Sequence, residues 1–174
     1  MATQSPHPRI YVACLAAYNN GILHGAWIDA AQEAWSIWDE VRDMLLASPI
    51  ADAEEWAIHD FENFGGVRIE EYTSFETVAE LAQFLTEHGE LGAALLDHHN
   101  GDLEEAREAL EDRHLGTYAS LADYMQEVME EASAIPHGLR YYIDWQAMAR
   151  DAELNGDLFT LKTTHDVLHV FAGH

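Results

Sequence analysis

Between Ile69 and Ala106 the chain carries ten carboxylates and no lysine or arginine; between His114 and Leu139 it carries four more, again with no base. These acids are threaded through segments whose apolar residues recur at helical spacing. Any stable fold must therefore hold its charge on solvated helix faces. Over all 174 residues the balance is 32 Asp and Glu against 8 Lys and Arg, a formal net charge of −24. Like charge at that density opposes compaction. A hydrophobic content of 48%, with five Trp, seven Tyr and six Phe, supplies a core and separates the chain from disordered acidic segments, which are poor in aromatics. No run approaches the length of a membrane span, and none reads as a signal peptide. The one cysteine, Cys14, fits a reducing compartment. A cytoplasmic location is expected. Nucleic acid and anionic membranes repel a polyanion, so its partner should be basic.

The pattern predicts an α+β protein in three small units: 1–66, an antiparallel sheet plus helix; 67–113, a central acidic helical module; and 114–174, a C-terminal mixed α+β unit. In the first, RIYVACLA (9–16) and ILHGAWID (22–29) read as strands. Asn20-Gly21 between them signals a hairpin turn, since both residues tolerate positive φ. Asp29 with Gln32 reads as a capping box for a helix burying Ala34, Trp38, Val41 and Leu45. Residues 56–61 form a third expected strand. In the second unit Ser74 opens a helix with Phe75, Val78, Ala82 and Leu85 inward, stopped at His88-Gly89. A short helix covers 90–99, and Asp102 caps another with Leu103, Ala106 and Leu110 inward. In the third, 116–119 is a brief strand and Ser120 caps a helix burying Leu121, Met125, Val128 and Ala132. Asp144 caps a helix over 145–154, and strands over 158–163 and 167–172 close the chain.

Glu104, Glu108, Glu111 and Asp112 recur at i, i+4, i+7 and i+8 opposite the apolar stripe of their helix. Asp123, Glu127, Glu130 and Glu131 repeat that spacing on the next. One helical turn rises about 5.4 Å, against one phosphate about every 3.4 Å along each strand of duplex DNA. Adjacent acidic rows would thus approach a duplex-like charge density. Each like-charge pair at i, i+4 costs a helix about 0.2–0.5 kcal/mol, which Arg107 and Arg113 offset only in part. Two other origins of acidity stand beside mimicry: adaptation to salt, and binding to some other basic DNA-binding protein.

The chain offers no catalytic pattern. There is no GxSxG, no phosphate-cradling glycine loop and no GxGxxG after a strand, and nothing singles out two of the 32 acids as a glycosidase pair. Cys14 lies in an apolar strand, where an inert buried thiol is the default. Trp35, Trp38, Trp56 and Trp145 fall at core-like positions. Among the eleven histidines, His98-His99 beside Asp97, and His165, His169 and His174, are the only clusters. None has the zinc-protease spacing, so no metal site, cofactor or enzyme is expected.

Four collinear blocks carry a family resemblance: PRIYVACLAAYNNGILHGAWIDA (8–30), EEWAIHDFENF (54–64), LEEAREALEDRHLGTYASLADYM (103–125), and YYIDWQAMARDAELNGD (141–157) followed by DVLHVF (166–171). They resemble the ArdA antirestriction proteins, the third block being similar to the region of the family's antirestriction motif. The resemblance implies an elongated three-domain homodimer, joined through the C-terminal domain, that mimics DNA. Such a protein occupies the DNA-binding groove of type I restriction–modification enzymes and protects incoming mobile elements, without catalysis, cofactor or nucleic-acid binding of its own. By family position the partner-binding surface would comprise Glu70, Glu71, Glu76, Glu80, Glu87, Glu90, Glu104, Glu105, Glu108, Glu111, Asp112, Asp123, Glu127, Glu130 and Glu131. Arg107 and Arg113 interrupt it and are expected to pair with Glu104 and Glu111. The helix over 145–154 and the two closing strands are the expected dimer surface.

Overall fold

The computed structural model describes residues 6–164 and 166–173. The chain divides into two compact units, Met1–Gly101 and Asp102–His174, each built on a three-stranded antiparallel sheet, so the class is α+β. In the first unit β1 (Arg9–Cys14) lies between β2 (Gly25–Asp29) and β3 (Trp56–Glu62). Its central place follows from Ile10 and Val12, which are fully buried, while Arg9 and Tyr11 face the other side.

The β1–β2 pair forms as expected, with Arg9 opposite Asp29 and Ala13 opposite Gly25, but not through a two-residue turn. A short helix, α1 (Leu15–Asn19), follows β1. Asn20 closes it through a side-chain amide donated to the Ala16 carbonyl at 2.8 Å, and Gly21 takes φ +74° just after it. Asn-Gly is thus a helix stop here. Asp29 does not cap the next helix either: its carboxylate accepts from the Ala31 N–H at 2.9 Å, and α2 (Ala34–Leu46) begins after Glu33.

Helix α2 buries Ile37, Val41 and Met44, a stripe rotated from the expected one. Trp35 is exposed, whereas Trp38 joins an aromatic cluster. There Trp38 meets Trp56 edge-on at 5.4 Å and Phe75 at 4.7 Å, and Phe75 stacks on Trp56 at 4.4 Å. These contacts, each worth about 0.5–1.5 kcal/mol beyond area burial, seat α3 (Phe75–His98) beside α2 and β3. Ser74 caps α3 as expected, accepting from the Thr77 N–H at 3.2 Å. Gly89, at φ 55° and ψ −133°, divides α3 in two at the position the sequence indicates.

The second unit runs α4 (Leu103–Glu108), a π-helical turn (Ala109–Arg113), β4 (His114–Tyr118), α5 (Leu121–Ala132), a 3-10 turn (His137–Tyr142), α6 (Trp145–Leu154), β5 (Leu158–Lys162) and β6 (Leu168–Ala172). The sheet order is β4-β6-β5. Its core is Leu121, Ala149 and Val170, with Tyr118, Tyr124, Met125, Leu158 and Leu168 packed around them. Of the stripe expected on α5 only Leu121 is buried; Ala132 is exposed. Asp102, Ser120 and Asp144 cap their helices as predicted, accepting from the N–H groups of Glu105, Asp123 and Ala147 at 3.0–3.1 Å. The stretch 102–113, read from sequence with the central module, sits in this second unit, where its π turn packs on β4 and β6.

Candidate functional site

None of the 32 acidic residues is buried, and among the described residues Arg113 is the one buried charged side chain. In the first unit all six proposed acids are exposed. The segment bearing Glu70 and Glu71 lies along the open edge of β3, where the Glu71 carbonyl accepts from the Ile58 N–H at 2.9 Å. The Glu70 N–H in turn donates to the Thr73 hydroxyl at 2.9 Å. Glu76, Glu80 and Glu87 share the face of α3 opposite Val78, Ala82 and Leu85, at i, i+4 and i+11. Glu90 follows the break at Gly89.

In the second unit Glu104 and Glu108 are exposed on α4 and Glu105 is half-buried. The expected continuation through Glu111 and Asp112 is altered. Both are exposed, but they lie in the π turn, whose wider i→i+5 winding carries them off the α-helical row. On α5, Asp123, Glu127 and Glu131 are exposed one turn apart, and Glu130, half-buried, accepts from the Gln126 amide at 3.2 Å.

Among the described residues, six of the eight Lys and Arg side chains are engaged with carboxylates of the same chain. Arg68 pairs with Glu70 at 3.3 Å and Arg107 with Glu104 at 3.1 Å, while Arg9, Arg42 and Lys162 pair with Glu62, Asp39 and Asp166. Arg113 corrects the sequence reading. Its partner is Glu105 at 3.1 Å, with Glu108 at 3.9 Å, not Glu111. The π turn brings the guanidinium back over α4, a contact that α-helical spacing does not foresee.

Two tyrosines border the α5 row. Tyr118 on β4 packs edge-on against Tyr124 at 5.1 Å. Burial raises the Tyr118 phenol above its usual range, and the hydrogen bond it donates to Glu127 and the charges of Glu127 and Glu131 raise it further. Burial and the Glu127 charge raise Tyr124 as well. A phenol whose folded pKa is raised binds its proton more tightly in the native state, so this stability is present below pH about 10 and lost as pH climbs above it. In an alkaline absorbance titration Tyr118 should ionise late, and Glu127→Gln should bring that ionisation down toward the ordinary tyrosine value. An unchanged titration would mean Glu127 does not face the phenol.

The histidine clusters resolve unevenly. His165 and His174 lie outside the described residues, and His169 meets His114, which opens β4 two residues before the strand the sequence predicts. Among the described residues no group of three or more His, Cys, Asp or Glu is placed to hold a metal ion, and no helix is long and apolar enough to cross a membrane.

Fold and surface together define an α+β protein whose carboxylates all lie at or near the surface and whose bases are largely occupied within the chain. The chain belongs to the ArdA family: the family model, described as antirestriction protein (ArdA), matches residues 10–167. Its function is accordingly antirestriction, and the family is not a known enzyme family. No curated protein matches the chain.

Proposed function

We propose that the protein blocks restriction by standing in for duplex DNA in the basic groove of a type I restriction–modification enzyme. The observation that carries this reading is the exposure of regularly spaced carboxylates on α3 and α5, away from the apolar stripes of those helices. A groove lined with Lys and Arg binds phosphates mainly through charge and position. Carboxylates held at helical intervals on a folded backbone answer the same donors and carry no base sequence. Inhibition should therefore be indifferent to the enzyme's recognition sequence. The proposed contact surface is the fifteen acids named above by family position, with Arg68, Arg107 and Arg113 lowering the local field at Glu70, Glu104, Glu105 and Glu108. Homodimerisation through the second unit, by a two-fold axis, would present the surface twice to an enzyme with two recognition halves. The setting would be the cytoplasm of a cell receiving a mobile element.

The test is displacement of labelled duplex DNA from a purified type I methyltransferase by the full chain, over a salt series. Near-stoichiometric displacement that weakens as salt rises is the expected result. A folded protein that fails to displace DNA in dilute buffer would end this reading and direct attention to another basic partner. Unfolding in dilute buffer would instead point to salt adaptation.

A further inference from the structure

We propose that His114 and His169 form a two-histidine site for a divalent transition-metal ion of the Zn²⁺, Ni²⁺ or Cu²⁺ type, clipping β4 to β6. The two residues are far apart in sequence, and an irregularity in the ladder is what brings them to one face. His114 is opposite Phe171, Gly116 opposite Val170 and Thr117 opposite His169, so β4 carries one extra residue between His114 and Gly116. In a regular strand positions 114 and 117 would point to opposite faces of the sheet. The bulge turns His114 to the side of His169, and bulges of this kind re-aim side chains.

The outcome is a pair of ring nitrogens, His114 Nε2 and His169 Nδ1, 3.2 Å apart, on rings whose centroids are 5.3 Å apart and tilted by 34°. Two imidazole nitrogens bound at about 2.0–2.1 Å to one tetrahedral ion lie about 3.3 Å from each other. The pair therefore has nearly the nitrogen separation such an ion requires. On binding, the hydrogen bond would break, the donor ring would carry its proton on its other nitrogen, and both facing lone pairs would turn toward the ion. Imidazole is the ligand type that suits zinc, nickel and copper. Beneath the pair is an apolar floor: Phe171 is fully buried, with its ring 4.8 Å from that of His114, and Phe159 stacks on it at 4.9 Å. Phe171 packs against one side of the His114 ring, and the other side of the pair is open to water. With two protein ligands, the remaining coordination positions would be filled by water. Such a clip joins strands that are distant in sequence, so an ion bound there raises the stability of the unit by mass action. The site owes nothing to the acidic helix rows.

The experiment is titration of the full chain with Zn²⁺ and with Ni²⁺ at pH 7.5, by calorimetry and by imidazole nitrogen NMR. One site per chain is expected, with the ring nitrogens of His114 and His169 shifting together at one equivalent. His114→Gln and His169→Gln should each weaken that site at least tenfold. The double variant should be no weaker than either, and His137→Gln, at an exposed position of the same unit, should bind as the parent does. The thermal midpoint should rise with Zn²⁺ in the parent and not in His169→Gln. Unmoved His114 and His169 resonances, which need no variant to fold, would reduce the pair to a hydrogen bond, as would variants that titrate like the parent.

Discussion

Changing Asp123, Glu127, Glu130 and Glu131 together to Asn and Gln should weaken inhibition of a type I enzyme by about 30- to 1000-fold, while each change alone costs less than about fivefold. The reasoning is additive electrostatics. A carboxylate facing a solvated base contributes roughly 0–1 kcal/mol, and four in a row at 0.5–1 kcal/mol give about 2–4 kcal/mol, at tenfold per 1.4 kcal/mol. Stability should change little. Removing the like-charge Asp123–Glu127 and Glu127–Glu131 pairs returns up to about 1 kcal/mol, offset by losing the charged acceptor of the Tyr118 hydroxyl and the first-turn carboxylate of Asp123. The paired readouts, displacement of DNA and urea unfolding, separate loss of surface from loss of fold. A single amide substitution that abolishes inhibition on a stable chain would overturn the distributed surface. An unaffected quadruple variant would remove α5 from it.

Replacing Arg113 by Met should lower stability to urea by about 2 kcal/mol, although exposed charges elsewhere contribute almost nothing. The Arg113 side chain is 9% exposed, and it donates to the Glu105 carboxylate at 3.1 Å and to the Glu105 carbonyl at 3.5 Å. Removing one member of a fully buried pair costs about 3–5 kcal/mol. Glu105 is 39% exposed, so its carboxylate regains water when the guanidinium is gone, and the cost falls toward that of losing charged hydrogen bonds, about 1.5–3 kcal/mol. Arg113→Lys should recover part of the loss, since it keeps the charge but not the planar fork. Arg113→Met also makes a chain of net charge −24 more acidic, so it tests whether an interior cation matters more than overall charge. Stability equal to that of the parent would show that the buried pair contributes only shape.

Much of the local structure was legible because it rests on short-range chemistry. Ser74, Asp102, Ser120 and Asp144 were readable as caps since a side-chain oxygen two or three residues ahead of a free N–H needs no tertiary partner. Gly89 was readable as a break, and it adopts the positive φ that suits glycine. Misreadings arose where one local signal served two structures. Asn20-Gly21 suits a hairpin and equally a helix end, and the short α1 consumed the residues a tight hairpin would have used. Asp29-x-x-Gln32 matches a capping box, yet the Asp29 side chain closed a turn onto Ala31 instead.

The candidate site divides along the same line. That the acids would be exposed followed from sequence alone, because a carboxylate leaves water only when paired and eight bases cannot serve 32 acids. That α3 and α5 would carry acids opposite their apolar stripes followed from the helical period. The family could likewise be read from the collinear blocks. Which acid each base neutralises, where the π turn interrupts the row from Glu104 to Asp112, and which histidine faces His169 were settled by the fold. Arg113 finds Glu105 eight residues back only because a turn widens, and His114 finds His169 only because β4 carries a bulge. Such pairings depend on the path of the backbone through space, and a periodicity read along the chain holds no record of one residue inserted into it.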